Sequence, residues 1–107
     1  MQYRDEKTRL FAETVGKVVK DLRLAKDCSI NKFAHDYGLD VGNTSRIEKG
    51  VIEVKLVTLW KIAEALEMSP SQLLNLVEKK LGKDFHFYEE WYGKKMNEKH
   101  QMGWDIK

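Results

Sequence analysis

Several features that indicate secretion, membrane insertion or a disulfide framework are missing from this chain of 107 residues. It has a single cysteine, Cys28, so no disulfide can form within it, and a lone thiol is typical of a reducing compartment. No run of about 18 apolar residues is present to span a bilayer. The charged start is followed by no apolar segment of the kind found in signal peptides. We therefore expect a cytoplasmic protein with no part in the membrane.

Proline and net charge are also scarce. The one proline, Pro70, lies in the sequence Ser-Pro-Ser-Gln, a capping box with proline at the first helical position. It therefore predicts the start of a helix and not a break in one. The formal net charge is only +2, from 19 Lys and Arg against 17 Asp and Glu, and no basic stripe is evident. Charge alone does not predict strong binding to nucleic acid.

What the chain does contain is apolar residues spaced three to four positions apart, which is the period of an α-helix. The spacing predicts helices over about residues 8–26, 56–68 and 69–81, with two short helices between the first and second of these. No segment alternates as a strand does, so the predicted fold class is all-α. The residues expected on the inner faces are Phe11, Val15, Val18, Val19, Leu22, Phe33, Ala34, Tyr37, Leu39, Thr44, Ile47, Leu59, Ile62, Ala63 and Leu66. The last helix carries Leu73, Leu74, Leu76, Val77 and Leu81, more leucines than one small core needs.

Residues 29–50 are the most informative segment, because they read as two short helices around a tight turn. Ser29 and Asp40 are residue types that cap helix N-termini. Gly38 and Gly50 stand where each helix must stop, and glycine can enter the left-handed region without a Cβ clash. Two helices joined in this way form a helix-turn-helix, whose second helix can enter the major groove of DNA.

From about residue 15 to residue 76 the chain resembles the Cro/phage-repressor (XRE) type of helix-turn-helix transcriptional regulators. Phe33-Ala34 stands where the family has Leu-Ala, and Ser-Arg-Ile-Glu-Lys-Gly at 45–50 is similar to the family's Ser-Arg-Ile-Glu-Arg-Gly. The resemblance implies a compact five-helix lambda-repressor-like domain over residues 1–81. The matching segments follow the family's order, at residues 15–23, 33–38, 45–50, 58–66 and 69–74.

The resemblance also assigns roles to individual residues. Cys28 stands where the family usually has leucine, so it would be a small apolar residue of the core, with a reactive thiol as the alternative. Arg23 and Glu48 would form a buried ion pair between the first and third helices, although both could instead be solvated surface charges. Arg46 would read guanine through O6 and N7, while Asn43 could pair with adenine or with phosphate and Val41 could pack on a thymine methyl. The residues that the resemblance assigns to DNA are Ser29, Asn31, Lys32, Val41, Gly42, Asn43, Ser45, Arg46, Lys49 and Lys55.

The chain departs from the family in ways that bear on DNA binding. Ile30 stands where many relatives have glutamine, and Val41 and Gly42 replace side chains that are often polar. The loop after Gly50 is Val-Ile-Glu-Val where relatives are commonly basic. Residues 29–50 hold three Lys or Arg and three Asp or Glu, so the segment is locally neutral. Binding of one copy to DNA should therefore be weak. A homodimer on palindromic double-stranded DNA would bind more strongly.

Residues 82–107 fall outside the resemblance and form a C-terminal extension. Asp84 could cap a sixth helix, on which four aromatic residues would share one face. That face could cover the protein's own core or join two copies, since large aromatics commonly anchor interfaces. The residues expected to contribute to self-association are Leu73, Leu76, Val77, Phe87, Tyr88, Trp91 and Tyr92.

The function classes that remain are a regulator and an interaction module. His86 and a neighbouring Glu89 or Glu90 lack a third ligand, and no nucleophile–base set or phosphate-binding glycine loop is evident, so neither an enzyme nor a cofactor is expected. The helix-turn-helix signature favours a dimeric repressor that reads an operator through the third helix. The apolar loop at 51–54 and the aromatic extension favour an antitoxin or co-regulator with a protein partner and weak DNA binding.

Overall fold

The computed structural model describes residues 5–88, which fold into five helices. Residues 5–88 contain no strand, so the all-α prediction is confirmed for them. No helix among them is long and apolar enough to cross a membrane. The helices are α1 (Glu6–Ala25), α2 (Ile30–Asp36), α3 (Val41–Lys49), α4 (Leu56–Ala65) and α5 (Pro70–Leu81).

Short-range capping hydrogen bonds set where the helices begin. Ser29, Asp40 and Ser69 each accept a hydrogen bond from the backbone amide three residues ahead, at 2.7–3.1 Å. These bonds satisfy amides that have no partner inside the helix. All three caps were predicted, including the capping box at Ser69. α1 begins earlier than expected, at Glu6, because the Asp5 carboxylate accepts from the Thr8 amide at 2.7 Å.

The core lies where α1 packs against α3 and α5, with α2 behind α3 and α4 beside α5. Burial of each large apolar side chain contributes about 1.5–3 kcal/mol relative to exposure, so this cluster supplies most of the driving force for folding. Cys28 is half-buried against this core, which agrees with its interpretation as a small apolar residue. Tyr37 is an exception, since its ring packs on Phe33 but remains exposed. The largest fully buried side chains are Phe33, Ile47, Ile62, Leu73, Val19, Val77 and Thr44.

α1 and α3 meet in a close seam that positions α3. The seam is narrow at Gly16, where a Cβ atom would lie 2.3 Å from the Ile47 carbonyl oxygen and 2.5 Å from that of Glu48. Farther along, Arg23 donates from Nε and Nη2 to the two carboxylate oxygens of Glu48 at 2.8 and 2.9 Å. Its Nη1 donates to the Cys28 carbonyl at 2.7 Å, so the guanidinium is well satisfied.

The Arg23–Glu48 pair is withdrawn from water, with only 8% and 5% of the two side chains exposed. The hydrogen bond to Glu48 raises the pKa of Arg23 above its ordinary value, outweighing the opposite effect of burial. Arg23 therefore stays charged at any ordinary pH. Glu48 lies on the inner side of α3 and binds the charged Arg23 of α1. The ion pair therefore fixes the orientation of α3 against α1.

The segment after α5 differs from the prediction. Residues 82–88 are not helical, so Asp84 does not begin a helix there. The segment runs across α1, where the rings of Phe85 and Phe87 lie 6.4 and 6.1 Å from that of Phe11. The Lys7 ammonium donates to the His86 carbonyl at 2.6 Å, an acceptor that a helix would have used internally. The predicted contributors Trp91 and Tyr92 lie outside the described residues.

The prediction for self-association is also wrong in part. Leu73 and Val77 are fully buried in the protein's own core, which α5 forms together with α1 and α4. They have no surface left for a second copy. Leu76, Phe87 and Tyr88 remain exposed.

Candidate nucleic-acid interface

α3 has an inward and an outward face. Thr44 and Ile47 are buried on the inward face, and the Thr44 hydroxyl donates to the Asp40 carbonyl at 2.8 Å. Among the predicted DNA contacts, Val41, Arg46 and Lys49 are exposed, and Gly42, Asn43 and Ser45 are partly so. The burial of Ile47 and the helical period together place Val41, Gly42, Ser45, Arg46 and Lys49 on the outward face, with Asn43 at its edge. The structure thus brings them together on one surface.

Gly38 and the half-buried Leu39 form the turn between α2 and α3. Gly38 has a φ of 67°, in the left-handed region that other residues rarely adopt, and no atom lies within 4 Å of the position its Cβ would take. The Leu39 amide then donates to the Ala34 carbonyl at 2.8 Å, and its half-buried side chain packs on the core. The turn therefore fixes α3 against α2 while its outward face stays open.

The Arg46 side chain extends back over the first turn of α3. A Cβ atom on Gly42 would lie 3.4 and 3.5 Å from its Nη2 and Nη1 atoms. The same point lies 3.5 Å from Oδ2 of Asp40, the helix cap. The guanidinium and this carboxylate thus both border the Cβ position of Gly42 in the first turn of α3.

The predicted contacts at the start of α2 are exposed, but Lys32 already has a partner. Ser29, Asn31 and Lys32 are exposed. The Lys32 ammonium donates to Asp36 Oδ2 at 2.8 Å. This bond raises the pKa of Lys32 and, with a weaker contribution from His35, lowers the pKa of Asp36. A phosphate would have to compete with Asp36 for the Lys32 ammonium.

The loop after α3 contributes to the core and carries Lys55 at its end. Ile52 and Val54 are half-buried against the core, whereas Val51 and Glu53 are exposed. The apolar composition of this loop is therefore explained partly by packing. Lys55 is exposed at the start of α4, and its side chain makes no capping hydrogen bond.

An apolar stripe on α4 was missed in the sequence analysis. Leu56, Val57 and Trp60 are 72%, 67% and 55% exposed, although all three are large and apolar. Trp60 is held in place by a hydrogen bond from Nε1 to Glu64 at 3.0 Å. The signal was present in the sequence as a spacing of i, i+1 and i+4. Exposed apolar patches on helices commonly mark surfaces of association.

Metal ligands and cavities are the other features of the described residues that could bear on function. No group of three His, Cys, Asp or Glu side chains in residues 5–88 is placed to hold a metal ion. An apolar cavity of about 250 Å³ lies between α1, the 51–54 loop and Phe87, with Glu53 as its one ionisable lining residue.

Comparison with known families and structures gives consistent results. The chain matches the family profile of the Cro/C1-type HTH DNA-binding domain over residues 19–79, which include α2 to α4 and most of α5. A comparison with proteins of curated function found no match.

Several solved structures are similar to this one. The restriction-modification controller protein C.AhdI from Aeromonas hydrophila is 34% identical over 58% of this chain and 94% of its own, with a TM-score of 0.55. An HTH_3 family transcriptional regulator from Vibrio cholerae is 28% identical over 75% of this chain and 45% of its own, with a TM-score of 0.62. The clp gene regulator ClgR from C. glutamicum, at 22% identity over 68% of this chain and 95% of its own, shares the fold with a TM-score of 0.62.

Proposed function

Because the chain belongs to the family of Cro/C1-type helix-turn-helix DNA-binding domains, we propose that it is a dimeric transcriptional repressor that reads a palindromic operator through α3. The outward face of α3 carries this proposal: its predicted DNA contacts are accessible while Thr44 and Ile47 hold the helix to the core. The similarity to a restriction-modification controller protein supports a regulator in preference to a protein-interaction module.

Arg46 is the main reader of bases in this proposal. Val41 is apolar, Gly42 has no side chain and Ser45 is short, so none of them can form a bidentate hydrogen bond to a base edge. An arginine guanidinium matches O6 and N7 of guanine in the major groove. Lys49 and Lys55 contribute phosphate contacts, which position the domain without reading sequence.

Arg46→Ala is therefore expected to cost about 1–3 kcal/mol per half-site on the preferred sequence and to remove the preference at one base pair. Lys49→Ala should weaken binding to all duplexes alike and lower the slope of log affinity against log salt by about one. The measurement is selection from random duplexes, followed by titration of both variants at two salt concentrations. An Arg46→Ala variant that keeps the parent's base preference would show that α3 does not read DNA in this way.

Dimerisation is supported by the apolar residues left exposed on the described surface. The stripe of Leu56, Val57 and Trp60 on α4 is the most exposed such set on one helix, and Leu76 and Tyr88 add further apolar area elsewhere. Large apolar and aromatic side chains are the usual centre of an interface between copies. A dimer also doubles the number of phosphate contacts, which is small for one copy because residues 29–50 are locally neutral.

We expect light scattering to give twice the chain mass of 12.6 kDa, and Val57→Glu to reduce it to the single-chain value. A glutamate in the first turn of α4 suits the helix dipole, so the change should leave the fold intact. Leu10→Glu, at an exposed apolar position of α1, is the matched control and should remain dimeric. A parent mass near 12.6 kDa at high micromolar concentration would contradict the dimer.

A protein-interaction module is the second candidate, and the same α4 stripe favours it. In that case the exposed apolar side chains would bind another protein, and the neutral helix-turn-helix would bind DNA weakly. The two functions are separated by the duplex selection described above. A parent protein that enriches no motif and shows no salt-dependent binding would favour the interaction module.

A further inference from the structure

Gly42 and Arg46 lie close together on the exposed face of α3. Residues four apart on a helix are adjacent, so any side chain at position 42 would contact Arg46 directly. The guanidinium nitrogens already lie 3.4 and 3.5 Å from where a Cβ of Gly42 would be. Glycine costs helix stability in such a position, which makes its presence in the first turn of α3 notable.

We infer that Gly42 is a specificity-determining position that acts through Arg46: its missing side chain leaves a seat in which the guanidinium lies over the first turn of α3, beside Asp40. This inference rests on the proposed reading of DNA by α3. Gly42 here is a positioning residue, because it makes no hydrogen bond to a base itself. It determines where the one strong reader on this face is held.

Asp40 completes the seat because its carboxylate is itself fixed. Its Oδ2 atom accepts from the Asn43 amide at 2.7 Å and lies 3.5 Å from the Cβ position of Gly42. The carboxylate and the guanidinium are thus the two groups that border the Cβ position of Gly42. An arginine restrained before binding loses less conformational entropy when it meets a base.

The test compares two substitutions of Gly42 that differ in size beyond Cβ. Gly42→Ala adds one atom at ordinary contact distance from the guanidinium, so the seat should survive. Gly42→Leu adds carbons that must occupy the space of the guanidinium, so Arg46 should be displaced. We expect Gly42→Leu to reduce discrimination at the base pair read by Arg46 about 5- to 100-fold. Gly42→Ala should stay within about twofold of the parent.

A double substitution separates displacement of Arg46 from a direct clash with DNA. In the Arg46→Ala background, Gly42→Leu should cause no further loss of discrimination and little further loss of affinity. An equal loss in both backgrounds would mean that leucine acts on the DNA directly, and the seat would be disproved. Thermal unfolding of both Gly42 variants should occur at or above the parent temperature, because each replaces a helical glycine.

A measurement on the free protein tests the seat without DNA. Nuclear Overhauser contacts are expected between the Gly42 α-protons and the Arg46 side chain in the parent, and their absence would overturn the inference. If Arg46→Ala removes the base preference while Gly42→Leu preserves it, the seat is wrong and the proposed function stands. If the parent selects no motif, the proposed function and the specificity role of Gly42 fail together.

Discussion

Glu48→Ala should lower the free energy of unfolding by about 3–5 kcal/mol, because it leaves the charge of Arg23 buried without its counter-ion. The pair is almost fully withdrawn from water and is joined by two hydrogen bonds at 2.8 and 2.9 Å. The Cys28 carbonyl still accepts from Arg23 after the change, but a carbonyl dipole does not neutralise a full charge. A loss of this size corresponds to a drop in melting temperature of more than about 10 °C for a domain of this length.

Glu53→Ala is the matched control, since Glu53 is an exposed glutamate five residues farther along. Its melting temperature should lie within a few degrees of the parent. The double substitution Arg23→Met/Glu48→Leu should be less destabilising than Glu48→Ala, because no charge then remains buried. Equal melting temperatures for Glu48→Ala and Glu53→Ala would show that the buried pair does not stabilise the fold.

Gly16→Ala should destabilise the fold by about 2–4 kcal/mol, an unusual result for a substitution that normally favours a helix. The new Cβ would lie 2.3 and 2.5 Å from two carbonyl oxygens of α3 and 2.8 Å from a carbonyl carbon. These are backbone atoms, which cannot move aside as a flexible side chain can. α1 and α3 would have to separate, and the contacts around Ile47 and the Arg23–Glu48 pair would be stretched as well.

Gly42→Ala provides the comparison for Gly16→Ala. Both glycines lie inside helices, so both substitutions gain similar helix propensity, roughly 0.5–1 kcal/mol. At Gly42 the added atom meets nothing closer than 3.4 Å. Thermal unfolding followed by circular dichroism should therefore move in opposite directions for the two variants. Parallel shifts would mean that the seam between α1 and α3 accommodates a methyl group at Gly16.

Features with partners close in sequence were the ones that could be predicted. The caps at Ser29, Asp40 and Ser69 join groups three residues apart, so residue type and spacing are sufficient. The inward placement of Ile47 and the outward placement of Arg46 likewise follow from helical period. The Lys32–Asp36 pair has the i, i+4 spacing and could have been anticipated by the same reasoning.

Features that depend on distant contacts could not be predicted from local pattern, and the Arg23–Glu48 pair, whose members are 25 positions apart, was expected only from the family resemblance. The aromatic residues after Asp84 have helical spacing, but Phe85 and Phe87 are drawn instead to Phe11, more than 70 positions earlier. The side of α5 that carries Leu73 and Val77 is buried because α5 packs against α1 and α4, and no local pattern fixes that choice. Gly16 has no distinguishing local signal at all. Its importance comes from the carbonyl groups of α3 that it touches.

The two faces of α3 have a practical consequence for altering what the domain recognises. The groups that attach the helix are Ile47, Glu48 and the backbone opposite Gly16, whereas Val41 and Arg46 point outward. Because these sets do not overlap, a library that randomises the outward positions should leave folding almost unchanged. If α3 reads DNA as proposed, exchanging a few exposed side chains would change the recognised sequence with no compensating change in α1.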